Sequence, residues 1–433
     1  MRLLLALTAL SLAAGAATSK QPPLSPEAQH ILDLATSAPP EFHAWAIFRL
    51  LDGGKVKDRA SQRQLLDDAY QLGASAQARY PVQTLSGTPR EAHGSILGTA
   101  GQLGLDSLSL QSRAAELMLQ IDKVRARRMF ADIPKPAIAA LTCDDDVMPR
   151  LDEYYRRLGR MAQETFTVQE RQREEPVNFL VDYVAGVSSP SQLLPVLSML
   201  RGLKLPADQM QLLYAKFGSA IESMQPDDRS FGDVTGALTP LLNAELMPAF
   251  QRFIANHASA PRCQRAAPAN LQVSIAGAPA PSPEQQRDML WHTPEAKQIA
   301  QMGFDLRIQN SRVLTVEDRR EAAWQLKYAG YMDALARWQR GDGESEAAFF
   351  HEKVTAYMIA ADLAVTPDAR SYAVSEAVRT IASSSLEQSS PAEWFLRLTQ
   401  ADPGSSLKAE ILAACESSGN PVLVLYAELN ATK

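Results

Sequence analysis

Residues 141–166 read Leu-Thr-Cys-Asp-Asp-Asp-Val-Met-Pro-Arg-Leu-Asp-Glu-Tyr-Tyr-Arg-Arg-Leu-Gly-Arg-Met-Ala-Gln-Glu-Thr-Phe. Within them Leu151, Tyr154, Tyr155, Leu158, Met161, Ala162 and Phe166 recur mostly three and four residues apart. Those intervals return to one face of a helix with about 3.6 residues per turn, so the stretch predicts an amphipathic α-helix set against a core. Asp144, Asp145 and Asp146 lie just ahead of it. Carboxylates near a helix amino end are favoured by the backbone dipole, so these acids read as helix-start residues. They lack the spaced acids and central glycine of a calcium loop.

The same period continues outward. Leu110, Ala114, Leu117, Met118, Ile121 and Val124 form one stripe, and Leu213, Tyr214, Phe217, Ala220, Ile221 and Met224 form another. A third runs through Leu246, Met247, Phe250, Phe253 and Ile254. Helix starts are marked by a hydroxyl residue followed by proline, at Ser25-Pro26, Thr88-Pro89, Ser189-Pro190, Ser282-Pro283, Thr293-Pro294, Thr366-Pro367 and Ser390-Pro391. The hydroxyl accepts from an orphan backbone N–H, and proline fits the first helical position, where its missing N–H costs nothing. Segments between breakers run about 12–22 residues, giving roughly 14 helices. The one alternating run, 271–275, is short. The expectation is an all-α fold, an irregular α-solenoid or array of stacked αα-hairpins, with a compact orthogonal bundle as the alternative.

The first 16 residues read as a signal peptide: Met1-Arg2, an apolar run over 3–12, and the small-x-small pattern Ala14-Gly15-Ala16. The expected location is therefore exported, periplasmic or extracellular. An amino-terminal helical region over 17–265 then meets an Ala/Pro-rich linker at 266–283 and a carboxy-terminal helical region over 284–433. No later stretch has the roughly 20 apolar residues that a transmembrane helix needs. The formal net charge of −6 argues against nucleic acid and against an anionic membrane surface as partners. Of three cysteines, Cys143 and Cys263 sit in turn-like contexts and are paired as a disulfide, while Cys415 shares a stripe with Leu407, Ile411 and Leu412 and reads as core. The alternative is that all three are small buried hydrophobes.

Leu-Thr-Cys-Asp-Asp at 141–145, the Tyr154-Tyr155 helix, and Asn-Pro-Val-Leu-Val-Leu-Tyr-Ala at 420–427 resemble segments of an uncharacterised group of exported bacterial all-helical proteins with no assigned activity. The resemblance implies export and a helical fold and carries over no catalytic residue.

The strongest candidate binding feature is a run of rings. Trp324, Tyr328, Tyr331 and Trp338, with Leu335, are spaced four and three apart on one helix face, and Phe349, Phe350, Val354, Tyr357 and Met358 return on the next helix. Facing solvent, such rings make a stacking platform for sugars or a protein hot spot; facing each other, they are core. Catalytic and metal patterns are incomplete. His351-Glu352 lacks a second histidine at Thr355 and reads as helix surface, Asp342 onward lacks a final acid at Lys353, and Glu222-Ser223 lies in a regular helix. No phosphate-cradling glycine loop or serine elbow occurs. These readings predict a non-catalytic helical-repeat protein, without cofactor or metal, that binds or scaffolds other envelope proteins. The alternatives are a polysaccharide-active enzyme using Tyr154, Tyr155, Asp144 or Asp145, and a periplasmic folding or assembly factor.

Overall fold

The computed structural model describes residues 24–78, 80, 82–84, 103–141, 147–224, 231–257, 291, 293–309, 312–342, 344, 346–383 and 408–431. Among these residues the protein is all-α, with 19 α-helices and two small two-stranded sheets. The amino-terminal 16 residues, Asp144 to Asp146, Cys143, Cys263 and the 266–283 stretch lie outside the described residues.

The first helices are α1 (Pro26–Ala35), α2 (Pro40–Asp52), α3 (Arg59–Ala74), α4 (Ser107–Met118), α5 (Lys123–Ala131), α6 (Asp152–Glu164) and α7 (Val168–Gln172). They are followed by α8 (Glu175–Ala185), α9 (Leu193–Gly202), α10 (Ala207–Ser223), α11 (Phe231–Leu238) and α12 (Met247–His257). The remainder are α13 (Pro294–Arg307), α14 (Val316–Arg319), α15 (Ala322–Arg337), α16 (Glu346–Leu363), α17 (Pro367–Ala382), α18 (Lys408–Ser417) and α19 (Pro421–Ala431). Strands β1 (Val82–Thr84) and β2 (Val147–Pro149) pair antiparallel with Gln83 opposite Met148, and β3 (Ile308–Gln309) pairs with β4 (Arg312–Val313).

Caps explain many of the starts. Ser25, Thr293 and Thr366 each accept from the backbone N–H three residues on, at 3.2, 3.1 and 3.2 Å, with proline at the first helical position of α1, α13 and α17. Ser189-Pro190 opens a 3-10 turn over Pro190–Gln192 that leads into α9. Asp58, Asp106 and Asp122 cap α3, α4 and α5 through their carboxylates. Such a cap is worth about 1 kcal/mol.

Helices pack largely on their chain neighbours. α1 meets α2, α2 meets α3, α3 meets α4, and α4 meets both α5 and α6. α6 rests on α8 and α9, α8 on α10, and α10 on α12. In the second half α13 packs against α15 and α16, and α16, α17, α18 and α19 follow in turn. α19 then packs across α1 and α2, with His30 Nε2 3.8 Å from Glu428 Oε1. Residues from both ends of the chain thus share one apolar core. Cys415 is a buried free thiol in that core, beside buried Ile411. Burial and the charge of Glu416 push it up to about 12, so it is inert as a nucleophile near neutrality.

The aromatic face is corrected by the structure. Trp324, Tyr328, Tyr331 and Trp338 are 6, 6, 0 and 1% exposed and form core between α13, α15 and α16 instead of a surface platform. Their polar atoms are mostly consumed internally. Trp324 Nε1 donates to the Leu306 carbonyl (2.9 Å), Tyr328 to Ala360 (3.0 Å) and Tyr331 to Ala356 (3.1 Å). Trp324 and Tyr328 stack at 5.3 Å, and Trp338 meets Phe349 edge-on at 5.3 Å. Gly303 on α13 admits the Tyr331 hydroxyl, which a Cβ would meet at 3.0 Å. The sequence showed the spacing of these rings but not the helices that cover them. Glu352, expected on the helix surface, is also buried, at 2% exposure.

Leu423 on α19 is fully buried. Leu423→Ala is expected to cost about 2–5 kcal/mol. Because α19 covers α1 and α2, amide exchange should accelerate over residues 26–52 as well as in α18 and α19. Exchange changes confined to the last two helices would contradict this packing.

Candidate functional site

The site is assembled from the polar faces of two helices. On α4, Ser109, Ser112, Arg113 and Glu116 follow the three-four spacing, and on α6 so do Glu153, Arg156, Arg157 and Arg160. The opposite side of α6 carries the apolar stripe read from the sequence, and Tyr154, Tyr155, Leu158, Met161 and Ala162 are all buried. Burying that stripe turns the arginines of α6 toward α4.

Glu116 is the centre of the junction. It accepts from Arg156 Nη1 (2.9 Å), Arg157 Nε (2.9 Å) and Arg160 Nη1 (2.5 Å). Arg157 also donates from Nη1 to the Ser109 carbonyl (3.2 Å) and to Ser112 Oγ (3.0 Å). Glu153 and Glu164 close the outer side of the ladder on Arg156 (2.6 Å) and Arg160 (2.9 Å). Burial alone would raise the Glu116 carboxyl, but the hydrogen bonds from Arg156, Arg157 and Arg160 and the charge of Arg157 outweigh it and hold it at about 2, against an ordinary 4.5.

A recess of about 180 Å³ opens beside this ladder; Gly104, Ser109, Arg113, Arg150, Glu153 and Arg157 line it together with Leu103, Leu108, Leu151 and Tyr154. Three guanidiniums face it against one carboxylate. β2 delivers Arg150, the residue after Pro149, and the β1–β2 pairing fixes where it emerges. Arg113 is anchored by an ion pair with Asp52 and lies 4.9 Å over the Phe48 ring. A larger recess of about 340 Å³ lies along α6, between Arg156, Gly159 and Arg160 and the α9 residues Pro195 and Met199, and Glu153 lines both.

Two further titratable groups are buried close by, and one of them, Tyr154, is part of the wall. Asp106 is buried and accepts from the Ser109 N–H (2.9 Å), while its Oδ2 has no hydrogen-bond partner. Burial lifts its carboxyl above the ordinary range. The Tyr154 hydroxyl is likewise sealed and without a partner, its ring stacked on Phe130 at 5.3 Å. Burial pushes its phenol up. Tyr155 differs in accepting from Gln192 Nε2 at 2.9 Å. Of the four residues weighed for glycan chemistry, both tyrosines are therefore enclosed, and Asp144 and Asp145 lie outside the described residues. Glu222 forms a surface ion pair with Arg252. Among the described residues no group of three or more histidines, cysteines or acids is arranged to hold a metal. The arginine recess went unnoticed in the sequence, although the spacing of Glu153, Arg156, Arg157 and Arg160 was a usable signal.

The folded pKa of Glu116 lies below its unfolded value, so its stabilisation is present above about pH 4.5 and is lost as pH falls toward 2, about 3 kcal/mol in all. Glu116→Gln should lower stability at neutral pH by about 3–5 kcal/mol and flatten this acid sensitivity, because three guanidiniums lose their shared carboxylate. Denaturant unfolding at pH 6 and pH 3 checks both; parallel pH profiles for the two proteins would contradict the assignment. Tyr154→Phe removes a buried hydroxyl that has no partner and is expected to stabilise by up to about 1–3 kcal/mol. Tyr155→Phe strands Gln192 and should destabilise by about 1 kcal/mol or more, as the same unfolding curves would show. No protein-family model, no curated protein and no solved structure matches the chain.

Proposed function

We propose that this chain is an exported, non-catalytic protein of stacked helices that binds another protein of the cell envelope, with the arginine recess between α4 and α6 as part of its contact surface. The observation that supports this reading is the concentration of Arg113, Arg150 and Arg157 around one opening in a chain of net charge −6. Guanidiniums stay charged at all physiological pH and present rigid donor forks, which suits them to recognition and not to proton transfer. Asp106 is buried, and although Tyr154 lines the recess its hydroxyl is sealed, so neither is well placed to exchange a proton with a substrate. The export component rests on the amino-terminal sequence, and the stacked arrangement on the neighbour-to-neighbour packing.

The test is affinity capture from envelope extract with the purified chain beside an Arg113→Gln, Arg150→Gln double variant. A defined protein that is retained by the wild type, weakened by salt and lost with the double variant is the expected result. Release of reducing ends from purified cell-wall glycan would instead favour the polysaccharide-active alternative.

A further inference from the structure

Each guanidinium around the recess is held differently, and the differences indicate what the opening accepts. Arg157 has its Nε and Nη1 committed to Glu116, Ser109 and Ser112, so its position is fixed before any ligand arrives. Its Nη2 is 3.6 Å from Glu153, too long for a hydrogen bond. Arg113 is committed to Asp52 on one edge. Arg150 is the least engaged. Its side chain is 37% exposed, and its Nε is 3.9 Å from Asp152. The recess therefore combines two anchored positive charges with one whose donor fork is open.

Shape and charge narrow the ligand. About 180 Å³ suits one small planar group and its linking carbon rather than a sugar chain. Glu153 in the wall opposes a doubly charged group more than a singly charged one. A carboxylate matches the guanidinium fork in geometry and in charge. The neighbouring recess is lined by the carboxylates Asp152 and Glu153 and the guanidiniums Arg156 and Arg160 at its polar side, with Gly159, Pro195 and Met199 supplying an apolar part. It offers room for an apolar side chain next to the acid.

We propose that the recess seats one carboxylate of an acidic peptide segment of a protein partner, with an adjacent apolar side chain over Gly159, Pro195 and Met199; this rests on the protein-binding reading above. Arg150 forms the two-pronged contact, and Arg157 and Arg113 supply fixed positive charge at its sides.

Fluorescently labelled acetyl-Glu-Leu-Glu-Leu-amide, titrated into the purified chain and followed by anisotropy, tests this. Saturable binding is expected, reduced at least about tenfold by Arg150→Gln, the loss that about 1.4 kcal/mol produces. The Gln-Leu-Gln-Leu peptide should bind at least as weakly to the wild type. Arg379→Gln, an exposed site on α17, should bind like the wild type. Circular dichroism melts of Arg150→Gln establish that it folds. Equal binding of the glutamine peptide, competition by inorganic phosphate at concentrations matching the acidic peptide, or no saturable binding would each overturn the proposal. If the peptide fails while a captured partner is still retained by Arg150→Gln, the recess assignment falls and the protein-binding reading survives; if no partner is captured either, both fall.

Discussion

The carboxylate of Glu116 fixes how α4 and α6 meet. Removing a carboxylate and its partners from water costs several kcal/mol per ion, which mutual attraction recovers only when the geometry is good and the remaining donors are used. Here three arginines within little more than one turn of α6 converge on one acceptor, and Arg157 spends a second nitrogen on Ser109 and Ser112. The arrangement specifies rotation. Turning α6 by one residue, about 100° around its axis, would carry Arg157 away from Glu116 and bring Tyr154 or Tyr155 out of the core. A purely apolar contact would tolerate more sliding, because hydrophobic burial has no direction.

The same rotation determines what is exposed and what is sealed. It places Tyr155 where Gln192 can bond it and leaves the Tyr154 hydroxyl with nothing. It also brings the amino end of α6 beside Arg150 and the start of α4, so the recess is a by-product of how two helices and a two-stranded ribbon fit together. The binding surface and the core are set by one contact.

Local features were legible in the sequence because they depend on local physics. The apolar stripes mark α6, α10 and α12 as helices, and the hydroxyl-proline pairs at Ser25, Thr293 and Thr366 mark the starts of α1, α13 and α17. The aspartate caps at Asp58, Asp106 and Asp122 carry no proline and passed unnoticed. β1 and β2 are three residues each, too short for an alternating pattern to declare itself. The rings of α15 were legible as a face, but a face is apolar whether water or another helix lies over it, and α13 and α16 are what lies over it. The recess was the least legible feature. Arg113, Arg150 and Arg157 are separated in the chain, and only their packing makes them neighbours.

The contact of α19 with α1 and α2 has a consequence for the order in which the fold is completed. As the chain emerges from its amino end, the first two helices are made some 370 residues before the one that covers them. Their outer apolar side must wait for that late arrival, while most other helices find a neighbour almost at once. Contacts this distant in sequence are slow to form, and the surfaces that await them are where nascent chains associate wrongly. Of the described helices, the two synthesised first are thus among the last to be covered, and their apolar side stays open to mispairing until α19 has been made.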